Sequence, residues 1–170
     1  FVGTYSGLDL ITKGKDDQYF IQNLLPDVMV NCLLRDRHGI LWIGTWENGI
    51  YRYDGKTFVN YSRLGKVQLK KVTCLYADQR GKLWAGLREA GIASLENEGF
   101  VLNPDPLLRK ASIMDIIEDQ HHTIWAQSMR EGIFMLKKDQ VRKITTSNNL
   151  PDINIWKIIA DADGNIWMGT

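Results

Sequence analysis

Cys32 and Cys74 stand 42 residues apart, and Asp36, Asp78, Asp119 and Asp161 recur at intervals of 42, 41 and 42 residues. Thiolates and carboxylates are the groups that ligate metals, attack electrophiles and carry protons. The regular spacing argues for another use. One carboxylate per period is spread over the molecule, not gathered at one centre, and an Asp at a turn caps it through its own side chain. The cysteines have no Cys-x-x-Cys companion of the kind a zinc site uses. As equivalent positions of neighbouring units they lie farther apart than the roughly 7 Å a disulfide tolerates, so two inert free thiols are expected. His38, His121 and His122 fall in polar turns with no Ser or Cys beside them in sequence. There is no Gly-x-Gly-x-x-Gly loop to cradle a phosphate. No metal, no cofactor and no catalytic residue is expected.

One further column carries charge. Ten residues before successive tryptophans stand Cys32, Cys74, Asp115 and Lys157, flanked on the same face by Val30, Val72, Ile113 and Ile155 and by Leu34, Tyr76, Ile117 and Ile159. A polar pair in an apolar column must be paired or wet, and Asp115 and Lys157 are expected to pair between neighbouring units. The column offers one carboxylate, whereas a lyase or glycosidase needs an acid and a base together. That argues against the enzyme.

The units that position these residues repeat. Leu41-Trp42-Ile43-Gly44-Thr45 returns as Leu83-Trp84-Ala85-Gly86-Leu87, Ile124-Trp125-Ala126-Gln127-Ser128 and Ile166-Trp167-Met168-Gly169-Thr170, and the chain opens on Phe1-Val2-Gly3-Thr4 in the same phase. Three residues before each Trp comes Gly39, Gly81, His122 or Gly164. Six or seven after the motif's aromatic residue comes Gly7, Gly49, Gly91 or Gly132, followed by Leu8, Ile50, Ile92 or Ile133. Each period reads as four short strands. In the second unit these are A at Val30–Arg35, B at Ile40–Thr45, C at Ile50–Tyr53 and D at Thr57–Tyr61, with turns at Asp36–Gly39, Trp46–Gly49 and Asp54–Lys56. No segment holds a helical period over ten residues.

Four strands per 42 residues is the period of a β-propeller blade. The expected fold is all-β: four-stranded antiparallel blades with the tryptophans buried between neighbours. By phase, residues 1–29 supply strands B to D of one blade, 30–71, 72–111 and 112–152 are whole blades, and 153–170 supply strands A and B of a fifth. The chain is therefore expected to be part of a larger propeller, with raw sheet edges at both ends.

With 21 Lys and Arg against 20 Asp and Glu, the formal net charge is +1. That argues against binding to nucleic acid or a membrane surface by bulk charge. No apolar run approaches the ~18 residues of a membrane span. At 44% hydrophobic and 24% charged the composition is that of an ordinary globular protein.

The stretch Asn31-Cys-Leu-Leu-Arg-Asp36-Arg-His-Gly39-Ile-Leu-Trp42-Ile-Gly44-Thr45, with Gly49-Ile-Tyr-Arg-Tyr53-Asp54 after it, resembles the two-component regulator propeller repeat. So does Asn149-Leu-Pro-Asp152 leading into Asp161, Gly164 and Trp167-Met-Gly169-Thr170. The third copy departs most, with His122, Gln127 and Ser128 where Gly, Gly and Thr are expected. The resemblance implies the periplasmic or extracellular sensor region of a bacterial inner-membrane signalling protein. Such regions belong mostly to histidine kinases or hybrid two-component regulators and sometimes to diguanylate cyclases. They commonly hold two seven-bladed propellers followed by an immunoglobulin-like domain, and their signals are often oligosaccharides.

The scaffold does not dictate the B–C loops, which hold Tyr5-Ser6, Trp46-Glu47-Asn48, Arg88-Glu89-Ala90 and Met129-Arg130-Glu131, or the D–A connections at 23–29, 62–71, 104–110 and 146–153. Both emerge on one face of a propeller. Tyr5 and Trp46 can stack on a sugar, and Glu47, Arg88, Glu89 and Arg130 can bind its hydroxyl or carboxyl groups. These six are the expected ligand-binding residues. The expected partners are a small-molecule or oligosaccharide ligand, the remaining blades of the same propeller and a second copy in a homodimer, with no nucleic acid. The competing function is a protein-interaction scaffold.

Overall fold

The computed structural model describes residues 1–61, 69–97, 99–138 and 140–170. These form five antiparallel sheets in chain order. The first holds β1 (Val2–Thr4), β2 (Gly7–Lys13) and β3 (Tyr19–Asn23). The second holds β4 (Val30–Arg35), β5 (Leu41–Thr45), β6 (Ile50–Tyr53) and β7 (Phe58–Asn60). The third holds β8 (Val72–Ala77), β9 (Leu83–Leu87), β10 (Gly91–Glu96) and β11 (Gly99–Leu102), and the fourth β12 (Ile113–Glu118), β13 (Ile124–Ser128), β14 (Gly132–Lys137) and β15 (Gln140–Ile144). The fifth pairs β16 (Lys157–Ala160) with β17 (Ile166–Gly169). Every sheet is a meander, each strand paired with the next in sequence. This is the architecture of propeller blades, and it does not close into a ring. No α-helix occurs among the described residues; two single 3-10 turns lie at Lys15–Asp17 and Thr146–Asn148.

The core lies between the sheets. Leu8, Val28, Val30, Leu41 and Ile43 join the first to the second. Trp42, Ile50, Val72, Leu83 and Ala85 join the second to the third. Ile92, Ile113, Ile116 and Phe134 join the third to the fourth, and Ile133, Leu150, Ile155 and Ile158 join the fourth to the fifth. No sheet has a hydrophobic interior of its own, so each blade depends on its neighbours, as in other repeat arrays.

The indoles of Trp42, Trp84 and Trp125 face the next sheet along the chain. Trp42 is 4% exposed and meets Phe100 of the third sheet edge-on, with ring centroids 6.2 Å apart. Trp84 and Trp125 are half-buried against the fourth and fifth sheets. The expectation that all four are buried fails at Trp167, which is 59% exposed, because among the described residues no sheet lies beyond the fifth.

The innermost strands carry the same irregularity. The register of β4 on β5 shifts between Val30 and Cys32, of β8 on β9 between Val72 and Cys74, and of β12 on β13 between Ile113 and Asp115. The bulged residues are Asn31, Thr73 and Met114, and a bulge re-aims the side chain it carries. Asn31 Nδ2 donates to the Val72 carbonyl of the next sheet at 2.9 Å, and Thr73 Oγ1 donates to the Ile113 carbonyl. Met114 has no donor. At that seam Gln127 donates from β13 to the Ile155 carbonyl at 2.6 Å. Gln127 stands where Gly44 and Gly86 stand in the earlier sheets.

Candidate functional site

The recurrent Asp proves to have two jobs. In the second sheet Asp36 Oδ1 accepts the backbone N–H groups of His38 and Ile40, at 2.9 and 3.0 Å. Its Oδ2 accepts the indole N–H of Trp42 at 2.9 Å. The same indole bond joins Asp78 to Trp84 at 3.0 Å, Asp119 to Trp125 at 2.8 Å and Asp161 to Trp167 at 2.7 Å. A carboxylate thus closes the A–B turn and satisfies the buried polar end of the indole. The cap was legible in the sequence. The indole bond was not, although the constant six-residue spacing from Asp to Trp is its signature. Burial raises the Asp36 and Asp119 carboxyls, but the bonds from Trp42 and Trp125 and from the turn amides outweigh it and hold both below their ordinary value. Asp161 is brought down to about 2 by Asn165, Trp167 and the turn amides. These carboxylates are spent on structure.

Cys32 and Cys74 are free. A Cβ at Gly44 or Gly86 would collide with the sulfur of Cys32 or Cys74, so thiol and glycine are matched across β4–β5 and β8–β9. Burial pushes the Cys32 thiol up to about 12 and Cys74 higher still. Asp115 and Lys157 pair between the fourth and fifth sheets, Nζ to Oδ2 at 2.9 Å, and Asp115 also accepts the Ile158 amide at 3.3 Å. Among the described residues no group of three His, Cys, Asp or Glu side chains could hold a metal ion.

On the B–C and D–A face the structure brings together four of the six expected ligand-binding residues. The Arg88 guanidinium lies 5.6 Å from the Trp46 ring centroid and the Lys71 ammonium 6.0 Å from it. Lys71 pairs with Glu89 at 3.2 Å, and Glu47 pairs with Lys70 at 3.3 Å. The backbone fixes the group: Trp46 N–H donates to Met29 and Lys71 N–H to Trp46. Tyr5, 83% exposed on the first sheet, and Arg130, in the left-handed region at φ 65°, make no recorded contact with this cluster among the described residues. Residues 62–68 of the D–A connection at 62–71 lie outside the described residues. Lys70 and Lys71 were missed because their sequence neighbourhood gives no hint that they fold back onto Trp46.

A cleft of about 930 Å3 opens elsewhere, between the third and fourth sheets. Its walls are the A–B turns at Asp78–Lys82 and Glu118–His122, the strand ends at Ser94, Glu96, Lys137 and Lys138, and residues 101–106, with Trp84 at its side. No motif in the sequence marks the cleft, since it is a property of how two sheets meet.

Residues 24–47 and 149–170 match the two component regulator propeller family. No curated protein matches the chain. Among solved structures, it resembles the extracellular domain of a B. thetaiotaomicron protein described as a hybrid two component system, with 24% identity and a TM-score of 0.68, covering 89% of this chain and 23% of that one. It also resembles the extracellular domain of a B. thetaiotaomicron protein described as a one component system, at 20% identity and a TM-score of 0.78, covering 99% and 24%. A third is virginiamycin B lyase from Staphylococcus aureus, at 17% and 0.68, covering 94% and 55%. At these identities the likeness is one of fold, and the chain spans about a quarter of the length of the two extracellular domains. The matched segments hold the Asp–Trp turn of the second sheet and that of the fifth: the chain is a run of β-propeller blades, two segments of which match the two component regulator propeller repeat.

Proposed function

We propose that this chain is part of the ligand-sensing propeller of a bacterial two-component sensor. The propeller lies on the periplasmic or extracellular side of the inner membrane and reports an oligosaccharide or other small ligand to a kinase output beyond it. The observation that carries this reading is the family match at both ends of the chain. The extracellular domains with the same fold support the location. The chain itself does no chemistry in this reading, since its recurrent carboxylates are occupied by turns and indoles. The contact face is that of Trp46 and Arg88. Calorimetry on the intact extracytoplasmic region with a panel of oligosaccharides tests it. Trp46→Ala and Arg88→Ala are each expected to weaken binding about 5- to 100-fold, the loss of a stacked ring or a charge-assisted hydrogen bond. His38→Ala, on the opposite face, is expected to leave it unchanged. Loss of binding in His38→Ala with both other variants intact would reverse the face.

The interaction-scaffold reading has one observation in its favour. Tyr19, Phe20 and Ile21 of β3 are 65%, 60% and 70% exposed in a row. A dimer disrupted by Phe20→Glu, in a region that binds no saccharide, would favour it.

A further inference from the structure

The seams between sheets are closed at the A–B turns by a side chain that crosses to the next turn's glycine. Arg37 lies against Gly81 and donates to the Arg80 carbonyl at 3.1 Å. Gln120 lies against Gly164 in the same way. Between the third and fourth sheets the glycine is replaced by His122. At φ 58° it keeps the turn, but its ring sits where a crossing side chain would lie. Its Nδ1 is 2.7 Å from Glu118 Oε1, and the other oxygen of Glu118 accepts the Gln79 amide at 2.6 Å. This is the seam at which the cleft opens.

The acids of the cleft are already engaged. Glu96 holds Lys82 and Ser94, Glu118 holds Gln79 and His122, Asp78 holds Trp84 and two amides, and Asp105 holds the Leu107 amide. Of the cations, Lys82 is held by Glu96, whereas Arg80, Lys137 and Lys138 line the same cleft and among the described residues none of their side chains has an acid partner. Among the described residues, a molecule entering it meets three cations without an acid partner and four carboxylates that each already accept a hydrogen bond. At about 930 Å3 the space stands at the upper end of the roughly 300–1,000 Å3 of ligand sites, enough for more than one sugar ring.

We propose that this cleft is a second site, apart from the Trp46 face, that binds an anionic oligosaccharide, its carboxylate or sulfate groups held by Arg80, Lys137 and Lys138, with His122 as the positioning residue that keeps the seam open. The proposal rests on the sensing reading for its sugar, and on the cleft's own charges for its anion.

The test is calorimetry on the intact extracytoplasmic region with three probes: a uronic-acid disaccharide, a sulfated disaccharide and cellobiose. One acidic probe is expected to bind and cellobiose not, and the tighter acidic probe identifies the anion. The triple variant Arg80→Gln, Lys137→Gln, Lys138→Gln is expected to weaken binding about 10-fold or more, since these cations are exposed and screened. It should flatten the salt dependence and leave the melting temperature unchanged. His122→Gly, which restores the crossing seen at Gly81 and Gly164, is expected to weaken binding without touching a ligand-binding charge. Acidic-probe binding that survives the triple variant but is lost in Trp46→Ala overturns the cleft and leaves the sensing reading standing. So does binding of cellobiose alone. No binding of any saccharide, by the wild type or in a wider panel, overturns both.

Discussion

At the scale of single residues, the recurrent carboxylates accept hydrogen bonds from turn amides and indoles and the thiols are packed against glycines, which sets the direction in which each is expected to titrate. Asp161 and Asp54 have values near 2 against an ordinary 3.8, Asp54 through the amides of Thr57 and Lys56, and Asp36 and Asp119 are also lowered. A carboxyl whose folded value is depressed stabilises the fold above its unfolded value. It loses that contribution as the pH falls through the folded one. Stability is therefore expected to hold flat down to about pH 4 and to fall between about pH 4 and pH 2. Denaturant midpoints measured across that range check it, and the Asp54→Asn, Asp161→Asn double variant should show a shallower fall. The thiols give a second outcome. With Cys32 pushed up to about 12 by burial and Cys74 beyond it, neither supplies thiolate near neutrality. A disulfide-exchange reagent at pH 8 is expected to react slowly with the native protein and to count two thiols once it is unfolded.

At the scale of strands and turns, the hairpin closed by Asp and Trp is the unit of construction, and what it contributes depends on what covers it. Trp42→Ala removes an indole that is 4% exposed and packed on Tyr61 and Phe100, and is expected to cost about 3–5 kcal/mol. Trp167→Ala removes one that is 59% exposed and is expected to cost about 1 kcal/mol or less, so equilibrium unfolding of the two variants separates covered from uncovered copies. This element was legible because its demands are local. Asp at the turn, a glycine in the left-handed region at Gly39, Gly81 and Gly164, and alternating apolar residues define β4, β5 and β6 in the sequence to within one residue of where they lie. The exposure of Trp167, the fold-back of Lys71 onto Trp46 and the open seam at His122 were not legible. Each depends on which sheet lies alongside, and a repeat pattern states what a blade is without stating what touches it. His122 and Gln127 stood out as departures, but only the seams show what each does.

For the molecule as a whole, stability resides in contacts between sheets, so the two outer faces matter as much as any interior. The fifth sheet leaves Ile159 and Trp167 at 53% and 59% exposure, on the face that its predecessors pack against a neighbour. Exposed apolar faces and raw edges drive association. The 170-residue chain by itself is expected to associate in a concentration-dependent way in sedimentation, and Trp167→Glu should shift it toward monomer. The seams also constrain how the sequence can drift. The carbonyls of Val72, Ile113 and Ile155 each receive a donor from the preceding sheet, yet the first two come from the innermost strand, at Asn31 and Thr73, and the third from its neighbour, at Gln127. A donor can therefore migrate between strands only if gain and loss are paired. Gln127→Gly alone strands the Ile155 carbonyl; Met114→Thr alone brings a second donor to an acceptor already taken. Made together, they should rebuild the arrangement of the third sheet, with a favourable coupling of about 0.5–3 kcal/mol in a double-mutant cycle. In genetic terms the two positions are expected to be epistatic: residues in different strands, 13 apart in the sequence, coupled through one carbonyl that belongs to neither.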